Sequence, residues 1–270
     1  MEKKMIKNFI VDRVVRGNMY SHKDGSLLWS LNQIQSPSLS MESETVDAVD
    51  ALGTPIMSFD RAKTCTFSAE NAIFDMGLLG QQVGTAVDSG ERIIPVFESL
   101  DVKEDGGVIT LANVPAKDYP VTFIYVLEND GSLGKELMEQ SYYEANKVEM
   151  GLPEDTLTFT ISEKEIQLPS EIKKDSRIFV SYEYVGNATY VVNSAKEFPK
   201  AGKFVMEVLG RDVCDSTTEV YAMLVLPNAK LSASTEVTFE TEMTQGFELT
   251  AQQDYCSNNN ELFVLIIPED

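Results

Sequence analysis

Apolar and polar residues alternate at every second position along most of the chain, and the alternating stretches are rich in β-branched and aromatic residues. This period is typical of half-buried β-strands. It predicts strands at 9–15 and 27–31, and a longer one from Ser38 to Thr45. A turn-like stretch at 50–55 leads to a further strand at 64–69. The strands at 38–45 and 64–69 are therefore expected to pair as a hairpin.

The predicted hairpin has one apolar and one polar face, because successive side chains of a strand point to opposite sides. The apolar face carries Leu39, Met41, Thr45, Cys65, Phe67 and Ala69. The polar face carries Ser38, Ser40, Glu42, Glu44, Thr64, Thr66 and Ser68. We expect the first of these faces to be dry and the second to face water.

One segment has helical spacing instead. Ser68 is a suitable N-cap, Gly84 can end a helix, and the residues between them repeat at intervals of three to four. The apolar stripe consists of Ala69, Ala72, Ile73, Met76, Leu79 and Val83. Because the other side carries acidic and amide side chains instead of Lys or Arg, the helix is expected to pack on a sheet and not on a membrane.

Between residues 89 and 190 the pattern changes to short strands separated by turn signals, at 121–127, 156–161, 165–168 and 177–184. Short strands separated by turns at this spacing are typical of a small β-sandwich or β-barrel of about 100 residues. The stretch from Glu136 to Met150 is read as a loop or a short helix. The middle of the chain is thus expected to form a module of its own.

The last third returns to the first pattern, with buried strands predicted at 203–210, 220–226 and 262–267. Between them lies a second alternating pair, which bends at Gly246. In its first strand Val237, Phe239 and Met243 oppose Glu236, Thr238, Glu240 and Glu242. In its second strand Phe247, Leu249 and Ala251 oppose Glu248, Thr250 and Gln252.

The chain has 270 residues, and its 43 acidic against 22 basic residues give a formal net charge of −21. Such a surface repels phosphate, which argues against tight binding of nucleic acid or anionic lipid. A hydrophobic content of 43% is too high for wholesale disorder. No apolar stretch approaches the ~18 residues of a membrane helix, and no secretory signal is visible. These features predict a folded protein made in a cytoplasm.

Candidate catalytic chemistry is sparse. His22 is the single histidine and lies in a polar, turn-like run. The cysteines, Cys65, Cys214 and Cys256, have no close spacing that fits a disulfide framework or a metal site. Motifs for a nucleophile elbow, a phosphate loop or a dinucleotide site are absent from the sequence, and paired carboxylates are expected by chance among 43 acids. The sequence therefore predicts no enzyme, no cofactor and no metal site.

The layout, and above all the closing third, resembles the major tail protein, or tail-tube protein, of tailed bacteriophages. The stretches that carry the resemblance are 34–44, the helix after Ser68, 204–211, 221–231, 245–254 and 262–270. Together they cover roughly residues 5–88 and 190–270. The resemblance implies a mainly β fold, in which a tube-type antiparallel β-sandwich or barrel with one packing α-helix is divided between 1–88 and 191–270. Residues 89–190 would be an inserted, immunoglobulin-like β-sandwich.

The resemblance also implies a structural role in the virion. Six copies would form a ring, stacked rings would form a tube, and DNA would pass through it without tight binding. Partners would be further copies of the chain and other tail proteins, with assembly in the host cytoplasm and no membrane contact. Four strands per copy would line the lumen with Glu42, Glu44, Glu236, Glu240, Glu242 and Glu248. Ring stacking would use Asp47, Asp50, Leu52, Gly53 and Thr54.

Two other interpretations remain open from the residues alone. Any antiparallel sheet with one face in water shows the same alternation, so the chain could be a monomeric β-sandwich binding module, such as a capsid decoration or adhesion protein. A carboxylate-based hydrolase is a further alternative, although no motif favours it.

Overall fold

The computed structural model describes residues 8–215, 217–234, 237–241, 243–254 and 260–268. The chain divides into two compact units, unit 1 with residues 1–88 and 190–270, and unit 2 with residues 89–189. In both units strands far outnumber helices, and nearly all neighbouring strands are antiparallel. The prediction of a mainly β protein is confirmed.

In chain order the elements are β1 (Phe9–Ser21), β2 (Leu27–Leu31), β3 (Ile34–Val49), β4 (Pro55–Asn71), α1 (Met76–Val83), β5 (Asp88–Asp101), β6 (Val108–Thr110), β7 (Phe123–Leu127), β8 (Leu133–Glu139), α2 (Gln140–Asn146), β9 (Thr158–Ser162), β10 (Glu165–Gln167), β11 (Arg177–Tyr190), β12 (Ala201–Asp212), β13 (Glu219–Leu231), β14 (Gln245–Ala251) and β15 (Val264–Ile266).

Unit 1 is one curved, eight-stranded sheet in the order β2-β1-β12-β13-β14-β4-β3, with β15 also paired to β13. Its concave side holds the core, where strands from distant places in this order meet. The ring centroid of Phe67 on β4 lies 5.1 Å from that of Phe204 on β12, and Trp29 on β2 lies 5.5 Å from Phe247 on β14. The sheet therefore closes over an aromatic core as a half-barrel.

The helix of unit 1 is shorter than the sequence predicts. It begins at Met76 with Asp75 as N-cap, whose carboxylate accepts a 2.7 Å hydrogen bond from the Leu78 amide. The prediction of Ser68 as N-cap is wrong, because Ser68 belongs to β4 and pairs with β14. Strand pairing on both sides of β4 outweighs the local helical spacing. Gly84 ends the helix as predicted, with a φ of 83°.

Two further predictions in the last third are wrong. Residues 237–241, 243 and 244 form no strand, and Phe239 is 80% exposed instead of buried. The predicted strand would have covered one edge of β14. Residues 229–231 of β13 pair with this edge instead. The terminal strand is also less buried than predicted, because among the described residues β15 pairs with β13 alone, and Leu265 and Ile266 are about half exposed.

Unit 2 contains a seven-stranded sheet in the order β5-β11-β7-β8-β9-β10-β6. Most of its strands match the predicted ones, but β8 and β9 pair in parallel. The stretch predicted as a loop or short helix is divided between the end of β8 and the whole of α2. Its core includes Ile124, Leu137, Phe159, Ile166 and Ile178.

A buried amide network attaches α1 to the sheet of unit 1. The fully buried Gln245 accepts a 2.8 Å hydrogen bond from the Asp75 amide and donates to the Asp75 carbonyl at 3.3 Å and to Gln82 at 3.4 Å. Gln82 in turn donates to the Gly246 carbonyl at 2.9 Å. Because buried polar groups need partners, these contacts fix the helix against β14.

We predict that Gln245→Leu lowers the free energy of unfolding by about 2–3 kcal/mol, because the Asp75 backbone and Gln82 lose buried partners. The exposed Gln252 offers a matched control, and Gln252→Leu should change stability by less than about 0.5 kcal/mol. Urea unfolding measures both. Equal effects of the two substitutions would contradict the role assigned to the network.

Gly84 and Gly53 form a second matched pair, with φ of 83° and 84°. A Cβ at Gly84 would lie 2.5 Å from backbone atoms of Phe198, whereas one at Gly53 would meet nothing within 4 Å. We expect Gly53→Ala to cost about 1 kcal/mol from backbone strain alone. Gly84→Ala should cost about 3 kcal/mol, because the clash adds to the same strain. The difference in urea midpoint tests this ranking, and a smaller loss at Gly84 would refute it.

Candidate functional site

Three neighbouring strands of unit 1 align polar side chains in rows on the side of the sheet that faces away from the core. The antiparallel register places Glu248 of β14 opposite Ser68 of β4, and Ser68 opposite Ser38 of β3. Because residues two apart on a strand share a side, the neighbouring rows lie on the same surface. These rows are Thr250 with Thr66 and Ser40, and Thr64 with Glu42. We call this surface the polar face.

The opposite side of the same strands is buried. Phe67 and Ala69 on β4 and Phe247 and Leu249 on β14 are at most 5% exposed. The predicted separation into a dry and a wet side is therefore correct near the core. Met41 is an exception, because it lies on the core side of β3 and is still 62% exposed.

The charged residues of the polar face differ in part from those expected. Glu42 and Glu248 lie on it, as does Glu70, which pairs with Gly246. Lys230 of β13 pairs with Thr250 and adds a positive charge to this side. Sequence reasoning missed Glu70 because the residue was assigned to the helix. It missed Lys230 because only the register between β13 and β14 brings it there.

The remaining candidate acids have weaker support. Glu44 shares the side of Glu42 by alternation along β3, but it lies at a bulge of the hairpin, where the opposing strand has an extra residue. Glu240 is exposed and belongs to no strand. Glu236 and Glu242 lie outside the described residues.

The bulge changes the side to which the residues of β4 beyond it point. Ser43 pairs with Lys63 and Thr45 pairs with Asp60, so β4 has one residue more than β3 in this interval. An extra residue changes the side to which the following side chains of that strand point. Beyond the bulge, Val46 lies opposite Phe59. Alternation along β3 places Val46 on the side of Glu42, so the side that is polar near the core becomes apolar.

Residues 45–60, which we call the distal hairpin, extend beyond the core. Each of them is exposed. Val46 and Phe59 form one apolar cross-strand pair, and Ala48 and Met57 form the next on the same side. Val46, Met57 and Phe59 are 42%, 57% and 49% exposed. The alternation at 46–48 and 57–59 is visible in the sequence and could have indicated this surface.

The turn at the tip of the distal hairpin has a defined shape. The Asp50 carboxylate accepts hydrogen bonds from the amides of Leu52 at 2.8 Å and Thr54 at 2.9 Å, and Gly53 supplies the positive φ. The hydrogen bond from Thr54, followed by that from Leu52, lowers the pKa of Asp50 below its usual value. Nearby, Asp47 accepts a 2.5 Å hydrogen bond from the Ser58 hydroxyl. Of the expected stacking residues, Asp50, Leu52, Gly53 and Thr54 thus form a hydrogen-bonded turn, and Asp47 lies beside it on β3.

Metal-binding groups and the single histidine are considered next, in the part of the chain that the structure describes. Within it, no group of three or more His, Cys, Asp or Glu side chains is arranged to hold a metal ion. His22 is exposed, with a ring nitrogen 3.2 Å from the Asn228 side-chain oxygen. Among the described helices, neither has the length and apolar character needed to cross a bilayer.

Comparison with known proteins identifies a family for the chain. No curated protein matches the chain. The family model of the YomU/Tube protein family matches residues 8–261. The family name indicates a structural tube protein and supports the resemblance to phage tail tubes. Because the match covers both segments of unit 1 and the whole of unit 2, the chain belongs to the YomU/Tube protein family.

Proposed function

We propose that the protein is the subunit of a phage tail tube, in which hexameric rings stack and the polar face lines a channel for DNA. The observation that carries this proposal is the distal hairpin. A two-stranded hairpin is marginally stable in water on its own, and this one also exposes apolar pairs. Such an element is suited to packing against further copies of the chain.

The edge of the sheet supports the same conclusion. Among the described residues β3 pairs with β4 alone, so the other edge of this 16-residue strand is open. An open edge is a template for another strand. Closure of strands from several copies into one barrel satisfies every such edge. A ring of subunits is therefore a natural state for this sheet.

The charge on the polar face fits a channel that DNA passes without sticking. Carboxylates repel phosphate, and six copies would repeat each of them around the lumen. Glu42, Glu248 and Glu70 have the clearest support, because strand register places them on this face. The complete proposed lumen set also contains Glu44, Glu236, Glu240 and Glu242. Lys230 offsets part of the charge in each copy.

The tip of the distal hairpin is proposed to act in ring stacking. The proposed stacking residues are Asp47 at the end of β3 and Asp50, Leu52, Gly53 and Thr54 in the turn, which hydrogen bonds hold at the far end of an extended element. Other tail proteins would contact the ends of the tube. The protein would assemble in the host cytoplasm and reside in the virion tail.

Assembly of the purified protein tests the proposal directly. We expect hollow tubes or rings by negative-stain microscopy and a rise in sedimentation coefficient with concentration. The variant Val46→Ser/Met57→Ser/Phe59→Ser should stay monomeric, because the apolar pairs no longer stabilise contact between copies. The variant Val108→Ser/Val148→Ser/Met150→Ser alters comparably exposed residues of unit 2 and should assemble normally. A wild-type monomer at high concentration would favour the binding-module alternative.

Charge reversal tests the lumen. In particles carrying Glu42→Lys and Glu248→Lys, cations would contact phosphate, so we expect slower DNA ejection that recovers as salt is raised. Glu149→Lys with Glu165→Lys makes the same charge change at exposed positions of unit 2 and should have no effect. Fluorescence of released DNA measures the rate. Unchanged ejection from well-formed lumen-variant tails would rule out the proposed lining.

A further inference from the structure

A cavity of about 370 Å³ lies where the hairpin leaves the core of unit 1. Its lining includes the apolar residues Met41, Leu262 and Phe263, and the sulfur-bearing Cys65, which is 1% exposed. Lys63 also lines it and lies on the same side of β4 as Cys65. Glu42 belongs to the lining too, but alternation points its side chain to the opposite side of β3 from Met41.

The other end of the same hairpin carries an exposed apolar tip. Leu52 is 91% exposed, and its neighbours Val49 and Ile56 are 53% and 70% exposed. The Asp50 hydrogen bonds hold the turn in one shape, so Leu52 is presented on an ordered support. An ordered, apolar side chain in water is typical of a residue that becomes buried in a contact.

We propose that this cavity receives Leu52 from a second copy of the chain. The inference rests on the proposed tube function and identifies the surface that the stacking turn contacts. A dry cavity of about 150 Å³ already holds a benzene molecule, so the volume is sufficient for a leucine side chain and part of its turn. The charges of the two surfaces are also complementary, because the acidic tip with Asp47 and Asp50 would approach Lys63.

The contact joins two different surfaces and is therefore heterologous. An interface of this kind propagates from copy to copy into rings or filaments. The cavities of two contacting copies are separated by the distance from cavity to tip within one copy. β3 spans about 26 Å from Met41 to Val49 at ~3.3 Å per residue, and the turn carries Leu52 about 5 Å further. Successive layers of the tube should therefore be at most about 30 Å apart, and a spacing well above about 40 Å would overturn the proposal.

Disulfide trapping tests the contact at the level of residues. Cys65 is buried, so the cavity thiol is placed at Met41, which lines the cavity and is 62% exposed. The starting protein carries Cys65→Ser, Cys214→Ser and Cys256→Ser, and Leu52→Cys and Met41→Cys are added to it. Copper phenanthroline then accepts two electrons as the thiol at position 52 of one copy and the thiol at position 41 of another lose two protons and form an S–S bond. We expect a ladder of dimers, trimers and larger species on a non-reducing gel.

The control omits the cavity thiol. Without Met41→Cys the ladder should disappear, whereas a contact between two tips would give dimers that survive this change. Assembled protein that forms no ladder, or a ladder that persists without Met41→Cys, overturns the proposal.

A second variant does not depend on cross-linking. Leu52→Asp should raise the protein concentration needed for assembly by at least about tenfold, because a charge would replace the buried side chain. Leu133→Asp in unit 2, where Leu133 is 55% exposed, should leave that concentration unchanged. If both variants assemble like wild type, the cavity contact is wrong while the tube function stands. If wild type never assembles, both are wrong.

Discussion

The packing of the aromatic core of unit 1 fixes which side of the sheet faces outward. Phe67 and Phe247 meet Phe204 and Trp29 across the concave side, so the alternate residues of β4 and β14 must point away from it. The antiparallel register then aligns Glu248 with hydroxyl residues of β4 and β3. The polar face is thus a direct consequence of core burial, and a shift of register by one residue would exchange the two sides.

The bulge between Ser43–Lys63 and Thr45–Asp60 gives the same hairpin a second role. On the core side of the bulge the outward surface is hydrophilic and can remain in water. Beyond the bulge the same side becomes apolar, and the ribbon has no core of its own to cover it. A single extra residue in β4 therefore places Phe59 beside Val46, so that a hydrophilic surface is followed along the hairpin by an exposed apolar one.

Much of the fold could be predicted because alternation is a local signal. The strands of unit 1 from Phe9 to Leu31, the hairpin, and the strands β12 and β13 all follow it. The start of α1 could not be predicted this way, because pairing of Ser68 with β14 is a contact between distant segments. The prediction of a strand at 236–243 was wrong for a related reason. Alternation shows that a segment is suited to be a strand, but it does not show whether a sheet has a free edge with which that strand can pair. The bulge was missed because it depends on the register between two strands.

Part of the net charge of −21 lies on the outward side of β3, β4 and β14. Lys230 offsets only part of the negative charge on this side. We propose that this side faces a closed channel. In a cryo-electron microscopy map of the assembled protein, we expect a continuous β-barrel with Ser40, Glu42 and Glu248 directed toward the axis. If these residues lay on the outer surface of the tube, the polar face would not be the channel lining.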